Sequence, residues 1–569
     1  VEEVARPLAL EPHDGAPFRA VVVGVLALAV LAPVGLIVYQ SFLDAPFFDA
    51  AAKPSLEAFR YVLSDGDFWR ALRTTALFAF GLVAVSVPLG AALAFLLTRT
   101  DMPGKRLLET LVLVPMFLSS IVLAFGYTVS VGPSGFVSLW VRSAFGGVPW
   151  DIYSLWGLVV IGGLSHVPHV YLYVSSAMRA LPSDLEEAAR ASGASMWRVF
   201  LDVTLPMVLP ALVFAAALNL LLGFEMFGIP LVLGDPNGIL VLTTYIYKVS
   251  SIFGTPTYHV MAVVAVVVVL ITLPLVFVQR RLLRHSRRFA AVAGKGARAS
   301  VLRLGPGQKA LAGIAIALWL FVAVALPVGG TVLRSFVDAW GEGVSLADHV
   351  TLDAFRRVLS EASLYRGVIN TLVLAVVGGA IAVAFYLLLA LAGHRNHRRS
   401  GIVLDYLVLL PRALPGIVLG LAFFWVFLFV PFLTPLRPTL ASLLIAYIVV
   451  GLSYGLRILQ AALLQVAPEL EESARASGAS LGRTWRDVVI PIVRPGLVGA
   501  WALIMIVFIR EYATGVYLMG AGTEVIGSLM VSLLTSGAMD QIAALSFISV
   551  VLTAIGLAFA LRLGAGLHE

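Results

Sequence analysis

The sequence predicts an all-α polytopic membrane protein of about twelve transmembrane helices, arranged as two parallel repeats of six. Three observations predict it. Sixty per cent of the 569 residues are hydrophobic and only 12% are charged, where an ordinary soluble domain carries about a quarter, and the mean hydropathy is +0.97. Apolar runs recur at the length of about 20 residues that a helix needs to cross a bilayer. Finally, LEEAARASGASMWRVFLDVTLP at Leu185 to Pro206 returns as LEESARASGASLGRTWRDVVIP at Leu470 to Pro491, a constant offset of 285 residues with glycine and proline in register. Such an offset means internal duplication.

In order, residues 1 to 17 are polar, and Ala20 to Tyr39 is the first span, too long for a removable signal peptide and without its small-residue cleavage pattern. Ser41 to Arg70 is polar with scattered aromatics. Leu72 to Leu97 is the second span, Arg99 to Arg106 a tight basic turn, Leu107 to about Val129 a third span interrupted by Pro115, and Gly132 to Ile152 a loop. Ser154 to Met178 is the fourth span, Met207 to Leu233 the fifth, and Val260 to Val278 the sixth, ended by the basic run Arg280 to Arg288. Residues 1–288 thus form the first repeat, and 289–308, with Gly294, Gly296, Gly305, Pro306 and Gly307, a linker. The second repeat, 309–569, holds Ala310 to Leu333, Gly367 to Leu391, the basic turn His394 to Arg399, then Val403 to Val430, Thr439 to Leu456, Gly496 to Met519 and Gln541 to Leu561. Val62-Leu63-Ser64 aligns with Val358-Leu359-Ser360 at an offset of 296.

The positive-inside rule sets the orientation: with both termini cytoplasmic, all the basic clusters and both duplicated loops face the cytoplasm. The net charge of +7 is therefore a topology signal and no indication of nucleic acid. The absence of cysteine excludes a disulfide framework, an iron–sulfur cluster or a thiolate site.

Each duplicated loop, 183–206 and 468–491, reads as a short helix–turn–helix between spans. Ser183 and Glu186 have capping-box spacing, Glu186 and Arg190 are one turn apart, and Gly193 supplies the turn; Pro468, Glu471, Arg475 and Gly478 repeat the plan. Glu187-Ala188-Ala189, Gly193 and Val203-Thr204-Leu205-Pro206 resemble the EAA loop of the permease subunits of binding-protein-dependent ABC importers. Glu472-Ser473-Ala474, Gly478 and Val488-Val489-Ile490-Pro491 match it again, with Ser473 for alanine and Ile490 for leucine. Two copies in one chain resemble the fused double permeases of the ferric iron importers, whose relatives carry thiamine or phosphonates.

The resemblance implies the type I importer fold in the bacterial cytoplasmic membrane and an extracytoplasmic solute-binding protein as one partner. Two ABC ATPase subunits, which hold the ATP and Mg, are the others, gripping the loops through Glu186, Glu187, Arg190, Gly193, Glu471, Glu472, Arg475 and Gly478. It implies ferric iron as solute, with thiamine, 2-aminoethylphosphonate or a polyamine as alternatives, and no cofactor resident on this chain. A proton-coupled secondary transporter is the rival class, but it has no use for charged, glycine-centred paired loops.

No enzyme site is legible. GxxxxGK[ST] is absent, so ATP is not hydrolysed here in the usual way, and neither Gly193-Ala194-Ser195 nor Pro415-Gly416 makes a nucleophile elbow. His166 and His169 are spaced as a ligand pair around Pro168, but no third ligand is near in sequence, so no stable metal site is expected. They are expected to be hydrogen-bonded or pore-lining residues. Glu225 and Glu511 correspond at an offset of 286, which leaves three roles open: lining the translocation path, structural pairing with a neighbour such as Arg510, or direct cation coordination. Arg412, between Pro411 and Pro415, is a further charge in an apolar run and snorkels or pairs.

Overall fold

The computed structural model describes residues 16–181, 184–252, 257–290, 301–394 and 399–565. Ser183, Gly294, Gly296, residues 395–398 of the second basic turn and the two chain ends lie outside these. Within them the protein is all-α, with eleven helices long and apolar enough to cross a membrane, and a twelfth span if the pair Tyr406–Ala413 and Gly416–Phe429, bent by 106°, counts as one.

The outside of the bundle carries large apolar side chains along its spans. Val21, Val25, Leu28 and Leu31 on helix Ala16–Ser41, and Leu311, Ile314 and Leu318 on helix Pro306–Leu320, form exposed stripes at helical spacing. Lipid satisfies these, so burial of apolar area cannot hold the helices together; close packing must. Helices Gly66–Arg99 and Leu155–Ala180 approach so closely that a Cβ on Gly90 would stand 2.5 Å from Val170 Cβ, and one on Gly163 2.5 Å from Val85 Cβ. In the second repeat Tyr386 fills the groove beside Gly451 and Gly455, and its hydroxyl donates to Ile448 O at 2.5 Å.

The two repeats clasp each other. The first helix of each packs on the other's third span: Ala16–Ser41 on Gly416–Phe429, and Leu326–Ser335 on Ser120–Val131. In the second of these contacts Ser130 Oγ donates to Leu326 O at 2.7 Å and Tyr127 OH to Val322 O at 2.9 Å. The segments that follow the first helices cross over as well. Phe47 and Phe48 pack against Phe429, and Trp340 packs against Phe136 while its Nε1 donates to Ser134 O. Short helices Glu57–Ser64 and Asp353–Ser360 end on the aligned Val-Leu-Ser triplets.

Several spans differ from expectation. The third is not interrupted at Pro115, which lies inside helix Lys105–Phe117; Leu118 (ψ 148°) and Ser119 (ψ 138°) are extended and break the chain before helix Ser120–Val131. The expected loop from Gly132 to Ile152 contains helix Phe136–Phe145. The fifth and eleventh spans end earlier than their apolar runs, at Glu225 and Arg510. The equivalent break in the ninth span follows from Pro415, which disfavours helical backbone at Leu414, where ψ is 116°.

The described end of the linker is anchored. Leu302 bridges Thr100, Asp101 Oδ1 accepts from the Leu304 N–H at 2.9 Å, and Asp101 Oδ2 pairs with Lys309 Nζ at 2.7 Å. The Leu304 hydrogen bond, then Lys309, hold the Asp101 carboxyl below its ordinary 3.8. Because the folded value is the lower one, this anchor is at full strength above about pH 4 and is lost as pH falls through the folded value. The protection of the Leu304 amide against hydrogen exchange, taken relative to the intrinsic rate at each pH, should therefore fall on acidification, and Asp101→Asn should show the lower protection already at neutral pH; unchanged protection in the variant would show that Asp101 is not the anchor.

Candidate coupling loops and intramembrane polar cluster

The duplicated segments fold alike. Helix Asp184–Ala191 and helix Pro468–Ala476 each end at a glycine in the left-handed region, Gly193 at φ +83° and Gly478 at φ +85°. The Gly193 N–H donates to Arg190 O at 2.9 Å and Ala194 N–H to Ala189 O at 3.0 Å; Gly478 and Ala479 repeat this with Arg475 at 2.9 Å and Ala474 at 3.1 Å. Both are Schellman ends, in which only glycine adopts the required backbone without cost. A Cβ at either glycine would meet nothing within 4 Å, so the constraint is backbone conformation, not space. A second short helix and a π turn follow in each, Phe200–Thr204 and Trp485–Val489, before the next span.

The loop carboxylates divide into two kinds. Glu187 and Glu472 are exposed, as are Arg190 and both glycines. Glu186 turns inward: it is 3% exposed, accepts from Thr204 Oγ1 at 2.8 Å, and faces Arg99 Nη2 at 3.4 Å, Arg99 itself being 1% exposed. This replaces the expected Glu186–Arg190 pair, because residue 186 lies on the helix face that rests on the end of span Gly66–Arg99. In the second loop Glu471 Oε1 lies 2.9 Å from His394 Nε2, at the end of the equivalent span. Glu186 and Glu471 therefore tie the loops to the spans, and Arg99, Thr204 and His394 are the partners that spacing within the loops did not reveal.

The breaks in the third, fifth, ninth and eleventh spans meet where the repeats face each other. Helices Leu205–Glu225 and Ile490–Arg510 begin and end in step at an offset of 285, which puts Glu225 in register with Arg510 and Met226 with Glu511. The offset of 286 that pairs the two carboxylates holds only if the helices slip by one residue, and they do not. Equivalent positions thus carry an acidic and a basic residue. Arg510 reaches across and donates to Met116 O near the end of helix Lys105–Phe117, where the last carbonyls lack helical partners and a cation is favoured. At the related place Arg412, in register with Met116 at an offset of 296, lies within electrostatic reach of Glu225, His169 and Tyr173.

Glu511 is committed to the backbone: its Oε1 accepts from the Thr514 N–H at 2.9 Å, ahead of the short helix Gly515–Leu518. Its neighbour Tyr512, which the sequence did not single out, ties the repeats together, its hydroxyl accepting from the Gly228 N–H at 2.8 Å and lying 2.7 Å from Ser120 Oγ. Gly228 has no room for a side chain, since a Cβ there would stand 2.6 Å from that hydroxyl.

His166 donates from Nδ1 to Gly162 O, one turn back, at 2.8 Å, and its ring stacks on His169 with centroids 5.3 Å apart. That nitrogen is used by the helix, and among the described residues no three His, Cys, Asp or Glu are grouped to hold a metal. Two buried atoms of the cluster, Glu225 Oε1 and His169 Nδ1, have no hydrogen-bond partner among the described residues. What converges here is a polar seam of both charge signs, crossing the apolar bundle at broken helices.

Known proteins share this organisation. The family described as "Binding-protein-dependent transport system inner membrane component" matches residues 86–288 and again 387–568, once on each repeat. Similar proteins include the ferric transport system permease protein FbpB of Actinobacillus pleuropneumoniae, 25% identical over 509 residues, covering 89% of this chain and 72% of that one. A putative ferric transport system permease protein FbpB 1 of Haemophilus influenzae is 25% identical, covering 79% and 71%. The molybdenum transport system permease protein ModB of Escherichia coli is 31% identical over 157 residues, 28% of this chain and 67% of that one. With the family's match repeated over most of its length, the chain belongs to the inner-membrane components of binding-protein-dependent transport systems, as a multi-pass permease of the type I ABC importer kind.

Proposed function

We propose that this chain forms the translocation pathway of an ATP-driven importer, both halves fused, with ferric iron as its solute. Two ATPase subunits hold one duplicated loop each, Glu187 and Glu472 offering carboxylates to basic or amide groups of the ATPase, while Glu186 and Glu471 transmit the movement to the spans they grip. Both termini and the loops lie in the cytoplasm, and an extracytoplasmic binding protein delivers the solute on the other side. Closure of the ATPase pair draws the loops together and turns the clasped repeats about the polar seam, so the path opens alternately to either side.

The observation that carries this reading is the pair of exposed carboxylates on two Schellman-ended loops of the same geometry. Iron as solute is supported by the ferric transport relatives alone, and other similar proteins are named for molybdenum, sulfate and trehalose/maltose.

The double variant Glu187→Lys, Glu472→Lys should insert and fold normally, since both side chains are exposed, yet lose ATPase attachment by about 100-fold or more, a desolvated charge pair being replaced by a repulsive one at each of two sites. Pull-down of the ATPase and solute-stimulated hydrolysis measure this. Normal attachment together with normal stimulation would remove the coupling role.

A further inference from the structure

On the side away from the duplicated loops, between the two repeats, lies a cavity of about 360 Å3. Helices Leu242–Ile252 and Tyr258–Ala290 of the first repeat bring Tyr247 and Tyr258 to it, and helices Gly515–Leu518 and Ile526–Ser536 of the second bring Tyr517, Ser528, Ser532 and Thr535. The wall is closed across the repeats by Tyr517 OH, which donates to Ser250 Oγ at 3.0 Å. The volume is in the range of small-molecule sites, about 300–1,000 Å3.

Its chemistry is uniform. Phenols and aliphatic hydroxyls alternate with apolar side chains such as Met261 and Leu421, and no Asp, Glu, Lys, Arg or His stands among the described lining residues. Phenols are neutral at ordinary pH, so the lining carries no formal charge. Ser528 is 1% exposed and its hydroxyl has no hydrogen-bond partner among the described residues. That oxygen is closed off from the cavity; the hydroxyls an occupant meets are those of Ser532 and Thr535, both exposed on the same wall. At the edge, the Arg437 guanidinium lies 5.2 Å over the ring of Phe424, another lining residue, and favours a neutral or anionic visitor over a cationic one.

We infer that this cavity is a solute station for a hydroxylated, oxygen-rich organic molecule, either free or wrapped around a metal ion, and that an uncomplexed multivalent cation does not stop there. Such a cation seeks carboxylate oxygens and would lose its hydration for neutral phenols alone. A polyol or a hydroxy-acid shell, by contrast, both donates to and accepts from hydroxyls and rests its C–H faces on aromatic rings. The inference builds on the importer reading and names the class of solute; ferric iron fits it as a chelate.

The chain has no cysteine, so Ser532→Cys carries a single thiol in the cavity, and Thr535→Cys is the second variant should the first fail to reach the membrane. In membrane vesicles holding the full chain without nucleotide, the rate of modification by a small methanethiosulfonate reagent is read with maltose, ferric citrate or terbium(III) chloride added. Maltose or ferric citrate should slow modification by about tenfold as the site fills, the first identifying a free polyol and the second a chelate. Terbium should leave the rate unchanged. Protection by neither organic probe, or by terbium alone, would overturn the assignment. Failure of the importer reading shows elsewhere, as uptake by the reconstituted complex that does not require ATP, and leaves this labelling result untouched.

Discussion

Arg99→Ala should loosen the first duplicated loop by about 3–5 kcal/mol, because it leaves Glu186 buried with no cation opposite. Both side chains are almost wholly buried, at 1% and 5% exposure, so solvent screens the pair little and water cannot readily take the place of the lost guanidinium. The Thr204 hydroxyl still donates to that carboxylate, but one neutral hydrogen bond does not offset a buried charge. Limited proteolysis within 184–204, or hydrogen exchange of the same segment, should report the loss, while helix Leu155–Ala180 stays protected. Arg99→Ala combined with Glu186→Gln should recover most of it, since the charge that made the loss severe is gone. A loop equally protected in wild type and Arg99→Ala would show that the pair contributes nothing to anchoring.

Arg412→Leu should destabilise the folded permease by about 1–3 kcal/mol, the cost of leaving a polar group in a low-dielectric interior without compensation. The affected group is Glu225, whose Oε1 is already buried and unpartnered among the described residues and whose nearby positive charge is Arg412. Adding Glu225→Gln should relieve most of the penalty, so that thermal unfolding of the four proteins in detergent gives a coupling of about 1 kcal/mol or more. Additive effects would mean that the two groups stabilise the bundle independently. The same cycle bears on transport: if the seam lies on the path, the rescued double variant folds and still binds ATPase subunits but carries solute more slowly.

The cluster was legible only as scattered charges. Glu225, Glu511, His166, His169 and Arg412 each attract notice because an ionisable residue inside an apolar run is costly, but the sequence cannot say which of them meet. Counting offsets paired Glu225 with Glu511; helix ends of equal length pair Glu225 with Arg510 instead, and commit Glu511 to the Thr514 N–H. Tyr512 gave no signal at all, a tyrosine in an apolar stretch being unremarkable until Gly228 and Ser120 are brought against it from 284 and 392 residues away. The loops were legible in outline because their determinants are local: a Schellman glycine needs only its own φ and the carbonyls of the preceding turn. Their inward carboxylates were not, because Arg99 and His394 arrive from outside the loops, at the end of the second span of each repeat.

By itself, the sequence determined the membrane class, the duplication, the approximate count of spans and the two glycine-turned loops, since each depends on composition, run length or contacts within a few residues. Only the tertiary structure decided where the third, fifth, ninth and eleventh spans break, that each repeat's first helix clasps the other's third span, and that an acidic and a basic residue occupy equivalent positions at the seam. The physical reason is the solvent. Lipid accepts apolar side chains on any face, so hydropathy marks a helix as a span without marking which face packs; the pairing is set by close approach, orphan carbonyls at helix breaks and buried polar partners, all of which exist only once segments hundreds of residues apart have met.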